Sequence, residues 1–86
     1  MLLRLRADIA TTDTDDGLVL LDERSGRYWQ LNPTGAQVLR ALLKGRPCEQ
    51  IAQDLVSRYG VGIDQAHQDV IAVTDQLRAA KLVTPS

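Results

Sequence analysis

The stretch LDERSGRYWQLNPTG, Leu21–Gly35, decides how this chain folds. It reads as a tight hairpin whose second strand runs directly into a helix. Ser25-Gly26 offers the turn, because glycine takes the positive φ that closes a short loop. Arg27-Tyr28-Trp29-Gln30-Leu31 alternates in character and carries two of the three aromatics, in a protein without Phe. That composition suits a strand. Asn32 can cap a helix whose first position is Pro33, where a missing N–H costs nothing. A short aromatic strand at the margin of a small sheet offers unpaired N–H and C=O groups to another chain.

Working outward, Leu3-Arg4-Leu5-Arg6 alternates with period two and predicts a first strand over Leu3–Ile9. Thr11–Gly17 reads as a polar turn segment. Leu18-Val19-Leu20-Leu21 is a continuous apolar run, which predicts a central strand covered on both faces. In the third strand, Arg27–Leu31, Trp29 and Leu31 share the inward face, with Tyr28 and Gln30 opposite.

Three helices follow. The first spans Pro33–Lys44, with Val38, Leu39, Leu42 and Leu43 as its apolar stripe, and Gly45 ends it. The second spans Pro47–Arg58 and buries Ile51, Ala52 and Leu55, with Val56 and Tyr59 extending the same stripe. The third starts at Asp64 as N-cap and continues to Ala80; Ala66, Val70, Val73 and Leu77 share one face, widened by Ile71 and Thr74. Leu82-Val83 is expected to pack back on the sheet or the first helix. The fold expected is α+β and winged helix-turn-helix-like, a three-stranded antiparallel sheet followed by three helices. It forms a single domain over 1–86.

Eighty-six residues suffice for one small domain with a modest core. No apolar run approaches the ~20 residues of a membrane span. Met1–Arg4 is too short an apolar patch for a signal peptide, and the one cysteine, Cys48, cannot form an internal disulfide; both point to the cytoplasm. The formal net charge is −1 and the basic residues are scattered, so no electrostatic funnel for nucleic acid or anionic membrane is expected.

A helix-turn-helix raises DNA binding as the alternative function, that of a winged-helix regulator. Its recognition helix would carry Asp64, Asp69 and Asp75, with no basic residue before Arg78, and those carboxylates repel phosphate. Cys48 and His67 are the only residues of their kinds, so no catalytic pair with an orienting group and no zinc set is legible. Asp13, Asp15 and Asp16 suggest a calcium loop, but the glycine and glutamate of that loop fall one position short. No catalytic residue, metal or other cofactor is expected.

Two surfaces remain: the free edge of the third strand and the broad apolar arc of the third helix. Side by side they form a trough that an added peptide strand could enter. The same arc could simply bury Leu82, Val83 and the sheet. Periodicity leaves both readings open.

The run GLVLLDERSGRYWQLNPTG, the Leu-rich helix after it, the Tyr59-Gly60 turn and Asp69-Val70 resemble the PqqD-like family. These are leader-recognition domains of pathways that make modified peptides on the ribosome. The likeness spans about Leu3 to Val83 and is greatest to free-standing members from lasso-peptide clusters, where Tyr28–Gly35 is characteristic. The resemblance implies that the leader of a precursor peptide adds as an antiparallel strand to the third strand. Its apolar side chains would enter the groove beside the third helix, usually anchored by a Tyr-x-x-Pro element. The domain itself would do no chemistry. It would deliver the precursor to a separate leader peptidase, and a macrolactam cyclase would close the product. On this reading Arg27, Tyr28, Trp29, Gln30 and Leu31 form the augmented edge, with Tyr28 as an aromatic wall. Asp69, Val70, Val73, Gln76 and Leu77 line the groove.

Overall fold

A computed structural model describes residues 3–85; Met1 and Leu2 of the N-terminal apolar patch, and Ser86, lie outside them. The order is β1 (Leu3–Leu5), β2 (Ile9–Thr14), β3 (Gly17–Asp22), β4 (Tyr28–Leu31), α1 (Pro33–Leu43), α2 (Cys48–Tyr59), α3 (Ile63–Ala79) and β5 (Val83–Pro85). β2, β3 and β4 form an antiparallel sheet in that order, so β3 is central and β4 is an edge. Leu20 sits opposite Trp29 and Leu18 opposite Leu31. The three helices follow, and α2 and α3 meet through the short Gly60–Gly62 link of a helix-turn-helix.

Several expectations are corrected. The strand expected over Leu3–Ile9 is two strands in two sheets. Arg6 donates its N–H to the Leu82 carbonyl, Ile9 donates to the Arg6 carbonyl, and the chain turns between them. β1 pairs with β5, Leu5 opposite Val83, and the partner strand comes from the far end of the sequence. Thr11–Thr14 belongs to β2 instead of a turn, and only Asp15-Asp16 reverses the chain. Its threonines are exposed at the outer edge, where a β-branched polar side chain suits a solvated strand. β3 is covered on one face only: Leu18 and Leu20 are buried while Leu21 is 39% exposed. Tyr59, expected on the buried stripe of α2, is exposed at that helix's end. α3 begins at Ile63 with Gly62 as N-cap. Asp64 falls inside the first turn, where its charge complements the helix dipole without capping.

The junction read from the sequence forms as expected. Asn32 Oδ1 accepts the Gly35 N–H at 2.7 Å, with Pro33 opening α1. Gly17 fixes how closely the β2–β3 turn approaches this junction. Its φ is +137°, and a Cβ there would lie 1.9 Å from the Leu31 carbonyl oxygen. Only glycine fits.

One cluster makes the core. Leu18, Leu20 and Leu31 of the sheet meet Val38, Leu39 and Leu42 of α1, Ile51 and Leu55 of α2, and Val70 and Leu77 of α3. Leu82 and Val83 close it from the C-terminal side, as their apolar character suggests. Ile71 is 57% exposed and lies off the core face, so α3's apolar arc is narrower than its composition.

Candidate functional site

β4 ends the sheet, and its ladder fixes which backbone groups are free. Asp22 donates its N–H to the Arg27 carbonyl at 2.8 Å, so Asp22 and Arg27 occupy a hydrogen-bonded position of the antiparallel register. Such positions recur every second residue. Trp29 and Leu31 therefore point their backbone groups at β3, whereas Tyr28 and Gln30 point theirs outward. The two outward residues share one parity, so both can donate to and accept from an added strand. Their side chains lie exposed, Tyr28 at 67%, while Leu31 is buried and Trp29 is half-buried against the core.

The C-terminal end of α3 meets the hairpin end of β4, where Ala79 and Ala80 line a hollow with Tyr28 and Trp29. Along one flank of the helix, Asp69, Val73, Gln76 and Ala80 follow helical spacing. Val73 and Ala80 are partly buried against the core, and Gln76 is exposed. Asp69 is half-buried, with Oδ1 accepting from Gln65 Nε2 at 2.9 Å. Val70 and Leu77 are each only 1% exposed, so they support this flank from beneath and offer no surface to a ligand. Helical spacing gives a residue's direction but not its depth.

Where β4 begins and α3 ends, a hollow of about 510 Å³ opens. Its walls include Arg27, Tyr28, Trp29, Ala79, Ala80 and Lys81. A second, of about 540 Å³, lies at the other end of β4 against Val19, Gln30 and Asn32. A third hollow, of about 690 Å³, shares no residue with β4 or α3, and the Arg40–Asp13 and Arg46–Asp54 ion pairs border it. The backbone edge makes β4 the better candidate despite that larger volume.

Arg6 ties the hairpin to the end of α3. Its Nη2 donates to Asp22 Oδ2 at 3.0 Å, its Nε to Asp8 Oδ1 at 3.1 Å, and its Nη1 to the Lys81 carbonyl at 2.9 Å. Asp22 Oδ1 accepts the Arg24 and Ser25 N–H groups and so shapes the hairpin loop. Burial alone would push the Asp22 carboxyl up, but these N–H groups and the Arg6 guanidinium together hold it below the usual aspartate value. The Arg6 hydrogen bonds hold the Asp8 carboxyl down, outweighing its own burial.

α3 ends unusually. The Lys81 N–H donates to the Arg78 carbonyl and the Leu82 N–H to that of Leu77, a Schellman closure that needs a left-handed residue. α1 and α2 place Gly45 and Gly60 in the left-handed region at their ends, whereas α3 places Lys81, at φ +58°. A side chain held there costs about 1 kcal/mol.

The chain matches the model of coenzyme PQQ synthesis protein D (PqqD) over residues 17–83. It belongs to the PqqD family. A solved structure described as lasso peptide synthetase B1 complexed with the leader peptide is 42% identical to this PqqD-family chain. It superposes with a TM-score of 0.87, over 96% of this chain and 98% of the other. A second, TbiB1 in complex with the TbiA(beta) leader peptide, is 22% identical with a TM-score of 0.81 over 96% of each chain, a likeness of fold. No curated protein sequence matches.

In this PqqD-family chain Arg27, Tyr28, Trp29, Gln30 and Leu31 lie together on β4 and its approach, and Asp69, Val73 and Gln76 share one flank of α3. Ala79, Ala80, Lys81, Asp22 and Ser25 also line the hollow and escaped sequence reading. The one local signal was a helix end without glycine. Cys48 and His67 are exposed on separate helices, and no cluster of metal-ligating side chains occurs among the described residues. No described helix is long and apolar enough to cross a membrane.

Proposed function

We propose that this chain binds the leader segment of a lasso-type ribosomal precursor peptide as an antiparallel strand added to β4. The observation that carries this reading is the outward pair Tyr28 and Gln30 on the unpaired edge of β4. It is supported by 42% identity, across nearly the whole chain, to a synthetase B1 complexed with a leader peptide. Backbone pairing supplies affinity that tolerates sequence variation, while alternate leader side chains settle against Trp29, Val73 and Ala80. Tyr28 stands as an aromatic wall, and Asp69 and Gln76 offer polar contacts at the rim.

The domain does no chemistry in this reading. It works in the cytoplasm as an adaptor, presenting the precursor to a separate leader peptidase and then a macrolactam cyclase. The winged-helix alternative is disfavoured because Asp64 and Asp75 stand exposed on α3, where a phosphate backbone would have to approach.

Amide hydrogen exchange tests the mode directly. The Tyr28 and Gln30 amides should become strongly protected when the leader of the precursor encoded with this protein is added. The β2 edge amides should not. Protection at β2 with none at β4 would place the peptide on the wrong edge.

A further inference from the structure

We propose that Arg27 and Lys81 make the hollow at the hairpin end of β4 a subsite for an acidic side chain of the bound peptide. The inference rests on leader binding at β4 and adds the chemistry of one leader position. Arg27 and Lys81, both exposed, line this hollow together with Tyr28 and Trp29 from β4 and Ala79 and Ala80 from the end of α3. The one carboxylate on the lining, Asp22, is buried and already held by Arg6 and by two backbone N–H groups. It therefore cancels little of the charge that Arg27 and Lys81 present. Lys81 keeps its cation at a left-handed position where the other two helices place glycine. A non-glycine residue in a left-handed conformation beside a hollow is a candidate for function rather than folding.

The direction of the peptide places the acidic residue. An antiparallel partner of β4 runs from the Leu31 end toward Arg27, so its C-terminal side emerges over this hollow. The Asp or Glu read by Lys81 thus lies just C-terminal to the paired segment. Its carboxylate would accept charge-assisted hydrogen bonds from the Lys81 ammonium and the Arg27 guanidinium. A backbone edge reads no side chain, so this contact would give the leader a fixed register.

The probes are the labelled leader of the precursor encoded with this protein and a set in which each Asp or Glu is replaced singly by Asn or Gln. One replacement, C-terminal to the paired segment, should weaken binding by about three- to tenfold, the range of a partly exposed ion pair. Lys81→Gly should weaken the parent leader by a similar factor and abolish the penalty of that replacement. Its Tm should hold or rise, because glycine relieves the left-handed strain. Lys44→Ala, the same charge change away from β4, should do neither. Lys81→Glu with a leader bearing Lys at the acidic position should recover binding lost by either change alone. Wild-type binding that is unaffected by Lys81→Gly, or by every carboxylate replacement, overturns the subsite and leaves leader binding standing. Absence of any wild-type binding overturns both.

Discussion

Arg6 Nη2 lies 3.0 Å from Asp22 Oδ2, and this contact joins the β1–β2 connection to the hairpin that presents β4. The same guanidinium reaches the Lys81 carbonyl beyond the end of α3, so one side chain ties the β3–β4 hairpin to that helix end. Asp8 and Asp22 both titrate below their ordinary value in the folded chain. Their contribution to stability is therefore complete above the unfolded aspartate pKa of about 3.9 and is lost as pH falls below it. Urea midpoints measured from neutral pH downward should fall steeply below pH ~4. Asp22→Asn should lower the neutral midpoint and flatten that acid limb. An acid limb identical in wild type and Asp22→Asn would remove Asp22 from the linkage.

Tyr28 and Gln30 both aim their N–H groups outward, so proline at either deletes a donor from the edge without breaking the β3–β4 ladder. Each should weaken leader binding by about 1.4 kcal/mol or more, roughly tenfold, with an unchanged far-UV CD spectrum. Trp29→Pro instead removes a ladder bond to Leu20 and should destabilise the fold. Full affinity in folded Tyr28→Pro and Gln30→Pro would exclude strand addition.

Val73 is the accessible apolar residue on the α3 flank, between the buried Val70 and Leu77. Val73→Glu should preserve helicity and reduce leader affinity about tenfold, or 1.4 kcal/mol. An unaltered affinity, measured by calorimetry, would detach α3 from the site.

Gly17→Ala forces a Cβ into the Leu31 carbonyl, and the β2–β3 turn must move away from the strand-to-helix junction. A loss of about 2–3 kcal/mol in urea unfolding is expected, the range of a substitution at a strained position. Asn32→Ala removes the α1 cap and should cost about 1 kcal/mol. If Gly17→Ala proves milder than Asn32→Ala, the close approach is not the constraint inferred.

The features legible in the sequence were local ones. Gly26, the Tyr28–Leu31 alternation, Asn32 and Pro33 each act within a few residues, and together they placed the hairpin, the edge strand and α1. The site's other wall depends on contacts between distant segments. β5 is not legible in the sequence, because Val83–Pro85 has no strand signal of its own and pairs with β1 across the length of the chain. The Arg6–Asp22 and Arg6–Lys81 contacts span the sequence in the same way. Asp64 has the residue type of a cap, yet the backbone enters the helix earlier, at Gly62. Val70, Val73 and Leu77 shared a face on the helical wheel, but only the packing of α3 against the other elements separates the two buried residues from the accessible one.

The most direct test is a fluorescence-polarisation titration of the labelled leader at about 50 and 200 mM salt. Saturable binding is expected, weakening by less than about tenfold over that range because few ionic contacts are made, and Gln30→Pro should abolish most of it. No binding by the folded protein, or a loss of about a thousandfold with salt as in multi-phosphate contacts, would contradict a peptide strand added to β4.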